Sequence, residues 1–202
     1  MNISLGFNEE VQGIYRLKVP FEKIYTSVFL IKTNSGTVLV DCATTEKDID
    51  EHIIPALKAM GYTLSELSAI VLSHSHADHA GGLERVLQLA PNIEVITDIR
   101  ALDDKISTYA LSGHTIDSIG VLDEHTHTLI SGDGLQGAGV DKYPCYTQDP
   151  QAYLQTLKRI RNDERIENIL FSHAYEPWGR ENMLGRENIK RFLGKCVEYV
   201  KL

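Results

Sequence analysis

Residues 74–79 read His-Ser-His-Ala-Asp-His, placing three of the chain's eight histidines and one aspartate within six positions. The run follows an apolar stretch, Ala69–Ser73, and precedes Gly81-Gly82 and an amphipathic segment. His74 and His76 are two residues apart, so in an extended segment both imidazoles project to one side. Neutral imidazoles and carboxylates suit Zn²⁺, and also Fe²⁺ or Mn²⁺. Four such donors exceed what a single tetrahedral ion with an open position takes from one segment. The pattern therefore asks for a fold that ends a buried strand at a loop able to serve two ions, one through His74 and His76 and the other through Asp78 and His79.

Around this run, strand and helix patterns alternate. Val28–Thr33 and Thr37–Ala43 are β-rich and joined by Asn34-Ser35-Gly36, a hairpin signal. Ile49, Ile53, Leu57 and Met60 mark a helix, as do Leu83, Val86, Leu87 and Ala90. Ile93–Thr97 and residues 118–124 and 126–132 read as strands, the last two as a hairpin through Asp123–His127. Asp149-Pro150 is an N-cap with proline at the first helical position. The helix it opens carries Tyr153, Leu154, Leu157 and Ile160. A strand at Asn168–Ser172 and a helix with Ile189, Phe192, Leu193, Cys196 and Val200 follow. One internal echo stands out. Ile70-Val71-Leu72-Ser73-His74 is matched by Ile169-Leu170-Phe171-Ser172-His173. Each is preceded by an apolar strand ending in aspartate (Asp41, Asp133) and then a helix. Two similar halves are expected, with chemistry at the strand ends.

Composition narrows the function classes. The chain has 202 residues, a length read as one domain over 1–202, and its net charge is −8, which counts against a nucleic-acid partner. No apolar run approaches the ~20 residues of a membrane span. The first ten residues lack a signal-peptide pattern, and three cysteines are too few for a disulfide framework, so a cytoplasmic protein is expected. Cys42 and Cys196 read as packed thiols and Cys145 as a loop residue without a companion. His52, His125 and His127 read as surface histidines. The i, i+2 pair at 125 and 127 carries a minor metal-binding alternative.

The 74–79 cluster resembles the His-x-His-x-Asp-His loop of the metallo-β-lactamase superfamily, and further segments extend the resemblance over about residues 27–178. Thr37–Asp41 is similar to that family's Asp-ended strand, although Cys42-Ala43 replaces its Thr-Gly. Gly113-His114-Thr115 with Ser118 resembles its Gly-His-Thr-x-x-Ser segment, Ser131-Gly132-Asp133 its Gly-Asp strand end, and Ser172-His173 its final histidine. The resemblance implies an α/β fold, a four-layer αββα sandwich of two mixed β-sheets with outer helices. It assigns His74, His76 and His114 to a first metal, Asp78, His79 and His173 to a second, and Asp133 as the bridge, with Asp78 and Asp133 catalytic. It makes Asp41 a residue that orients a metal-bound histidine. Two divalent ions per chain are implied, zinc first, with iron or manganese as alternatives.

By the same resemblance the chain is a hydrolase of a small-molecule ester, thioester or lactone. The hydroxyacylglutathione hydrolase branch shares the ligands and carries a Lys-x-Tyr-like segment, echoed weakly by Asp141-Lys142-Tyr143. The short stretch after His173 lacks that branch's C-terminal helical domain and counts against glutathione. Lactonases place a tyrosine where Gln136 stands. A phosphodiesterase, a β-lactam hydrolase and a non-catalytic metal-binding protein are the alternatives. Phe21 and Tyr25 are candidate tips of a flap over the site, and Tyr175 and Trp178 candidate rim residues. Exposed apolar residues of that kind point to a homodimer that walls the pocket.

Overall fold

In the computed structural model, residues 6–135, 147–174 and 180–200 are described. The chain forms two compact units, Met1–Thr97 and Asp98–Leu202. The first is built on a six-stranded sheet: β1 (Asn8–Val11), β2 (Ile14–Phe21), β3 (Ile24–Thr33), β4 (Gly36–Val40), β5 (Ala69–Val71) and β6 (Glu94–Ile96), in that spatial order. β2, β3 and β4 are antiparallel neighbours, because two-residue turns at Glu22-Lys23 and Asn34-Ser35 connect them. β5 and β6 join in parallel, as strands separated by helical crossovers do. The crossover from β4 to β5 starts at α1 (Glu46–Asp48), continues through a π-helical turn at Ile49–Ile53, and runs on as α2 (Ile54–Ala59). Thr45 and Asp48 cap its start reciprocally, satisfying amides that have no helical acceptor. Ile49, Ile53 and Leu57 are buried as their four-residue spacing requires, in a core with Leu17, Val28, Leu30, Leu39 and Ile70.

One expectation in this unit is corrected. The β-rich run Thr37–Ala43 stops being a strand at Val40, because Asp41 and Ala43 take φ of +67° and +56°. Backbone turned that way cannot continue a ladder. The helix expected around Leu83–Ala90 forms as α4 (Leu83–Leu89), after the short α3 (Ala77–Ala80). It is only two turns long and buries Val86 and Ala90, while Leu87 is 38% exposed.

The second unit holds a five-stranded sheet of β7 (Ile106–Ala110), β8 (Ile119–Asp123), β9 (Thr128–Ile130), β10 (Asn168–Leu170) and β11 (Asn182–Leu184), in spatial order β11-β10-β9-β8-β7. α5 (Pro150–Asn162) and α6 (Arg186–Tyr199) cover it. The Asp149 carboxylate accepts the amides of Gln151 and Ala152 at the start of α5. Tyr153, Thr156, Leu157 and Ile160 are the buried residues of that helix, with Leu154 turned half outward. Ile189, Leu193 and Cys196 pack from α6 beside Ile169 and Phe171.

The internal echo is structural. In the first unit β4 and β5 run parallel with Val40 opposite Val71. In the second, β9 and β10 run parallel with Ile130 opposite Leu170. The residue after each leading strand donates its amide to the same place on the neighbour, Asp41 N to Val71 O at 2.9 Å and Ser131 N to Leu170 O at 3.0 Å. Asp41 thus corresponds to Ser131, and Asp133 stands two residues further along.

Candidate metal centre

In the first unit, the 74–79 loop is held from beneath by Asp41, which is fully buried. One carboxylate oxygen accepts the Ser73 amide at 2.7 Å. The other accepts the Ser73 hydroxyl at 2.9 Å and lies 2.7 Å from Nδ1 of His79. A carboxylate at that distance accepts the Nδ1 proton and leaves Nε2 of His79 as its lone-pair nitrogen. The Ser73 oxygen also lies 3.1 Å from Nδ1 of His74. The same positive φ that ends β4 turns the Asp41 side chain to this task, in a region that Asp tolerates better than most residues. The Cys42 amide donates to His79 O at 2.7 Å, and the Gly81 amide to Ala43 O at 3.1 Å. Gly81 and Gly82 permit this: a Cβ would lie 1.9 Å from Thr44 O at Gly81 and 2.3 Å from Cys42 O at Gly82.

The result is a close group of rings. The His74 and His76 centroids are 4.6 Å apart, and those of His74 and His79 are 4.3 Å apart. His74 and His79 are buried, His76 is half-buried, and Asp78 reaches to 3.5 Å from Nε2 of His79. Burial, then the neighbouring Asp41 charge, push the Cys42 thiol far above its ordinary range. It is a packed neutral group and not a nucleophile.

The second unit presents His114, Asp133 and His173, all buried. Gly113, at φ +141°, lets the chain pass Tyr153, whose backbone a Cβ would meet at 2.5 Å. The turn after it is closed by the Thr115 and Ser118 hydroxyls, 2.7 Å apart, and tied by Gln148 N donating to His114 O. Asp133 lies in a single 3₁₀ turn, Gly132–Gly134, where Gly132 has φ +51°. The Ser131 hydroxyl faces the carbonyls of Gly132, Leu135 and Leu170 and braces that turn. Nε2 of His173 lies 3.3 Å from one Asp133 oxygen, and Nε2 of His114 lies 3.7 Å from the other.

These spacings fit metal ligands. A charge-assisted N–H···O bond is about 2.7–2.9 Å long, the length seen between Asp41 and His79. The separations of 3.3, 3.5 and 3.7 Å between the Nε2 atoms and the Asp78 and Asp133 oxygens are longer. Separations of this size suit donors that would share a cation. The donor chemistry, imidazole nitrogen with carboxylate oxygen, is that of zinc and neighbouring transition metals.

A family model for the metallo-β-lactamase superfamily matches residues 23–101. The crystal structure of a metallo-β-lactamase from Erythrobacter litoralis, solved with β-mercaptoethanol in its active site, superimposes with a TM-score of 0.66 at 19% identity, over 95% of this chain and 96% of that one. The protein has the metallo-β-lactamase fold. This agrees with the two mixed sheets and flanking helices, as the motifs imply. Among curated relatives, a β-lactamase-like protein 2 homolog of Caenorhabditis elegans is 24% identical over 165 residues, 71% of this chain and 54% of that protein. A hydroxyacylglutathione hydrolase of Vibrio cholerae is 23% identical over 177 residues, 75% of this chain and 68% of its own. The chain thus spans about half the length of the first of these relatives.

Other candidate residues divide. Tyr25 is 2% exposed and lies within β3, paired with Pro20. The exposed tip of that hairpin is Glu22-Lys23, so Tyr25 is not a flap tip. Phe21, at the end of β2, is half-exposed beside that tip. Tyr175, Trp178, Gln136, Asp141–Tyr143 and Cys145 lie outside the described residues. His125 and His127 do not act as a pair: His127 Nδ1 donates to Arg165 O, and His125 clusters with Asp103 and Asp104 at the surface. Ser73, Ser131 and the Thr115–Ser118 pair were not assigned roles from sequence. Their signal was their fixed place beside each candidate ligand. Among the described residues, no helix is long and apolar enough to cross a membrane.

Proposed function

We propose that this metallo-β-lactamase-fold protein is a dinuclear metal-dependent hydrolase of a small-molecule ester, thioester or lactone. The reading is carried by the imidazole–carboxylate groups at the strand ends of each unit, whose nitrogen–oxygen spacings of 3.3, 3.5 and 3.7 Å exceed the usual length of a charge-assisted hydrogen bond. His74, His76 and His114 would hold one ion and Asp78, His79 and His173 the other, with Asp133 shared between them. When bound, such ions polarise a carbonyl oxygen and make hydroxide available near neutral pH. Asp41 fixes the tautomer of His79 and stops its ring from turning. Asp78 and Asp133 would supply negative charge that partly offsets that of two divalent ions. The buried surroundings of His74, His79, His114 and His173 exclude competing bulk water. The thioester option draws support from the hydroxyacylglutathione hydrolase relative, which covers three quarters of this chain.

Assay of p-nitrophenyl esters, lactones and acyl thioesters, with and without chelator, tests the reading. Turnover that disappears on chelation, returns with zinc, and falls at least a hundredfold in Asp133→Asn is expected. Chelator-insensitive turnover, or full activity in Asp133→Asn, would sink it.

A further inference from the structure

The second unit holds a cleft of about 340 Å³ between β11 and α6, and none of its lining residues is a candidate metal ligand. Arg180, Arg191 and Lys195 line it, with Asn182, Met183 and Phe192 among the other walls. Three cations share this cleft although the chain as a whole carries a net charge of −8. Asn188, Arg191, Phe192 and Lys195 follow one another on α6 at steps of three, one and three, which places them on one helix face. Some cations elsewhere in this unit are matched by acids: Arg165 with Asp163 and Glu124, Arg186 and Lys190 with Glu164. In the cleft, among the described residues, neither Arg180 nor Lys195 has such a carboxylate partner. Arg191 donates to the Asn188 side-chain oxygen, and the Asn188 amide in turn donates to Leu184 O at 2.9 Å. That chain of bonds sets the direction of one guanidinium without neutralising it. All three cations are exposed, so water screens their mutual repulsion at little cost to stability, while their grouping leaves a local positive field that attracts anions.

We infer that this cleft binds a small organic phosphate carrying at least two negative charges. Three cations exceed what a monocarboxylate can neutralise. Planar guanidinium forks beside a lysine point charge match phosphate oxygens. Met183 and Phe192 give the ligand's organic body an apolar wall, and the volume falls within the range of small-molecule sites. The Phe192 ring also meets Phe171, at 5.7 Å between centroids, two residues before His173. The inference stands on the cleft alone and does not require the proposed hydrolysis.

Calorimetric titration of the metal-loaded protein with pyrophosphate, adenosine diphosphate and acetate tests it, alongside the double variant Arg191→Gln/Lys195→Gln. Saturable binding of adenosine diphosphate and pyrophosphate is expected, with none of acetate. The double variant should weaken both at least tenfold while its far-ultraviolet dichroism and melting temperature stay as in the parent. Phosphate affinity unchanged in the variant would place the anion at the metals and overturn the inference. So would absence of binding at low salt, or retention on anionic phospholipid vesicles without any binding of the soluble phosphates.

Discussion

Asp41 shows what one buried carboxylate does at the scale of a residue. It accepts from the Ser73 amide, the Ser73 hydroxyl and His79, on a backbone turned to positive φ. Asn also tolerates that backbone, so Asp41→Asn should fold, with zinc affinity lowered about 10–100-fold because the His79 tautomer is no longer imposed. Competition with a chromogenic chelator measures this, and unchanged affinity would remove Asp41 from the support of the centre. Asp41→Ala strands buried donors as well, and should cost about 3 kcal/mol in urea unfolding. The histidine cluster and its aspartates were readable in the sequence because metal chemistry demands particular residue types at close spacing. The serines were not, since a hydroxyl in a turn looks the same whether it braces a ligand or meets solvent. Tyr25 was misplaced for a related reason: an aromatic near a hairpin reads equally as tip or core, and its burial within β3 puts it in the core.

At the scale of elements, most central strands and the long helices were legible from apolar spacing and caps. β1, β2, β7 and β11 were missed, and all but β2 are edges of their sheets. An edge strand packs on one side only and needs no full apolar run, and β11 has just three residues. The cap of α5 was visible in Asp149-Pro150. Asp149→Ala should lower stability by about 1 kcal/mol through the lost bonds to Gln151 and Ala152, read as a drop in melting temperature. The far end of α5 carries a pH-dependent tie. Asp163 accepts from Arg165 through both oxygens and from the Tyr109 hydroxyl on β7 at 3.1 Å. Hydrogen bonding to Arg165 is the main cause holding its carboxyl below the ordinary 3.8. A depressed carboxylate stabilises the fold above its unfolded value and loses that contribution as pH falls through its folded value. Asp163→Asn should therefore be less stable than the parent at pH 7, with the gap closing below about pH 4. A gap that persists at pH 2 would show a packing effect instead.

For the whole molecule, metal loading is the decisive quantity. Elemental analysis of metal-replete protein should find two ions per chain, zinc foremost. Chelation should lower the melting temperature, because an ion that binds the folded chain alone stabilises it by mass action. One ion per chain with every ligand intact would contradict the shared role given to Asp133. The proposed homodimer is open to light scattering at micromolar protein, and a clean, active monomer would show that no second subunit completes the pocket. The matched registers of β4–β5 and β9–β10 carry one more consequence. Each strand end acts as a ruler: a carboxylate one step past it is turned inward to brace a neighbouring loop, and one three steps past it stands beside His114 and His173. What matters here is then chain length as much as chemistry. Loss of Gly132 alone, with every ligand still encoded, should silence the centre as thoroughly as replacing Asp133, while a swap between similar side chains nearby should pass almost unnoticed.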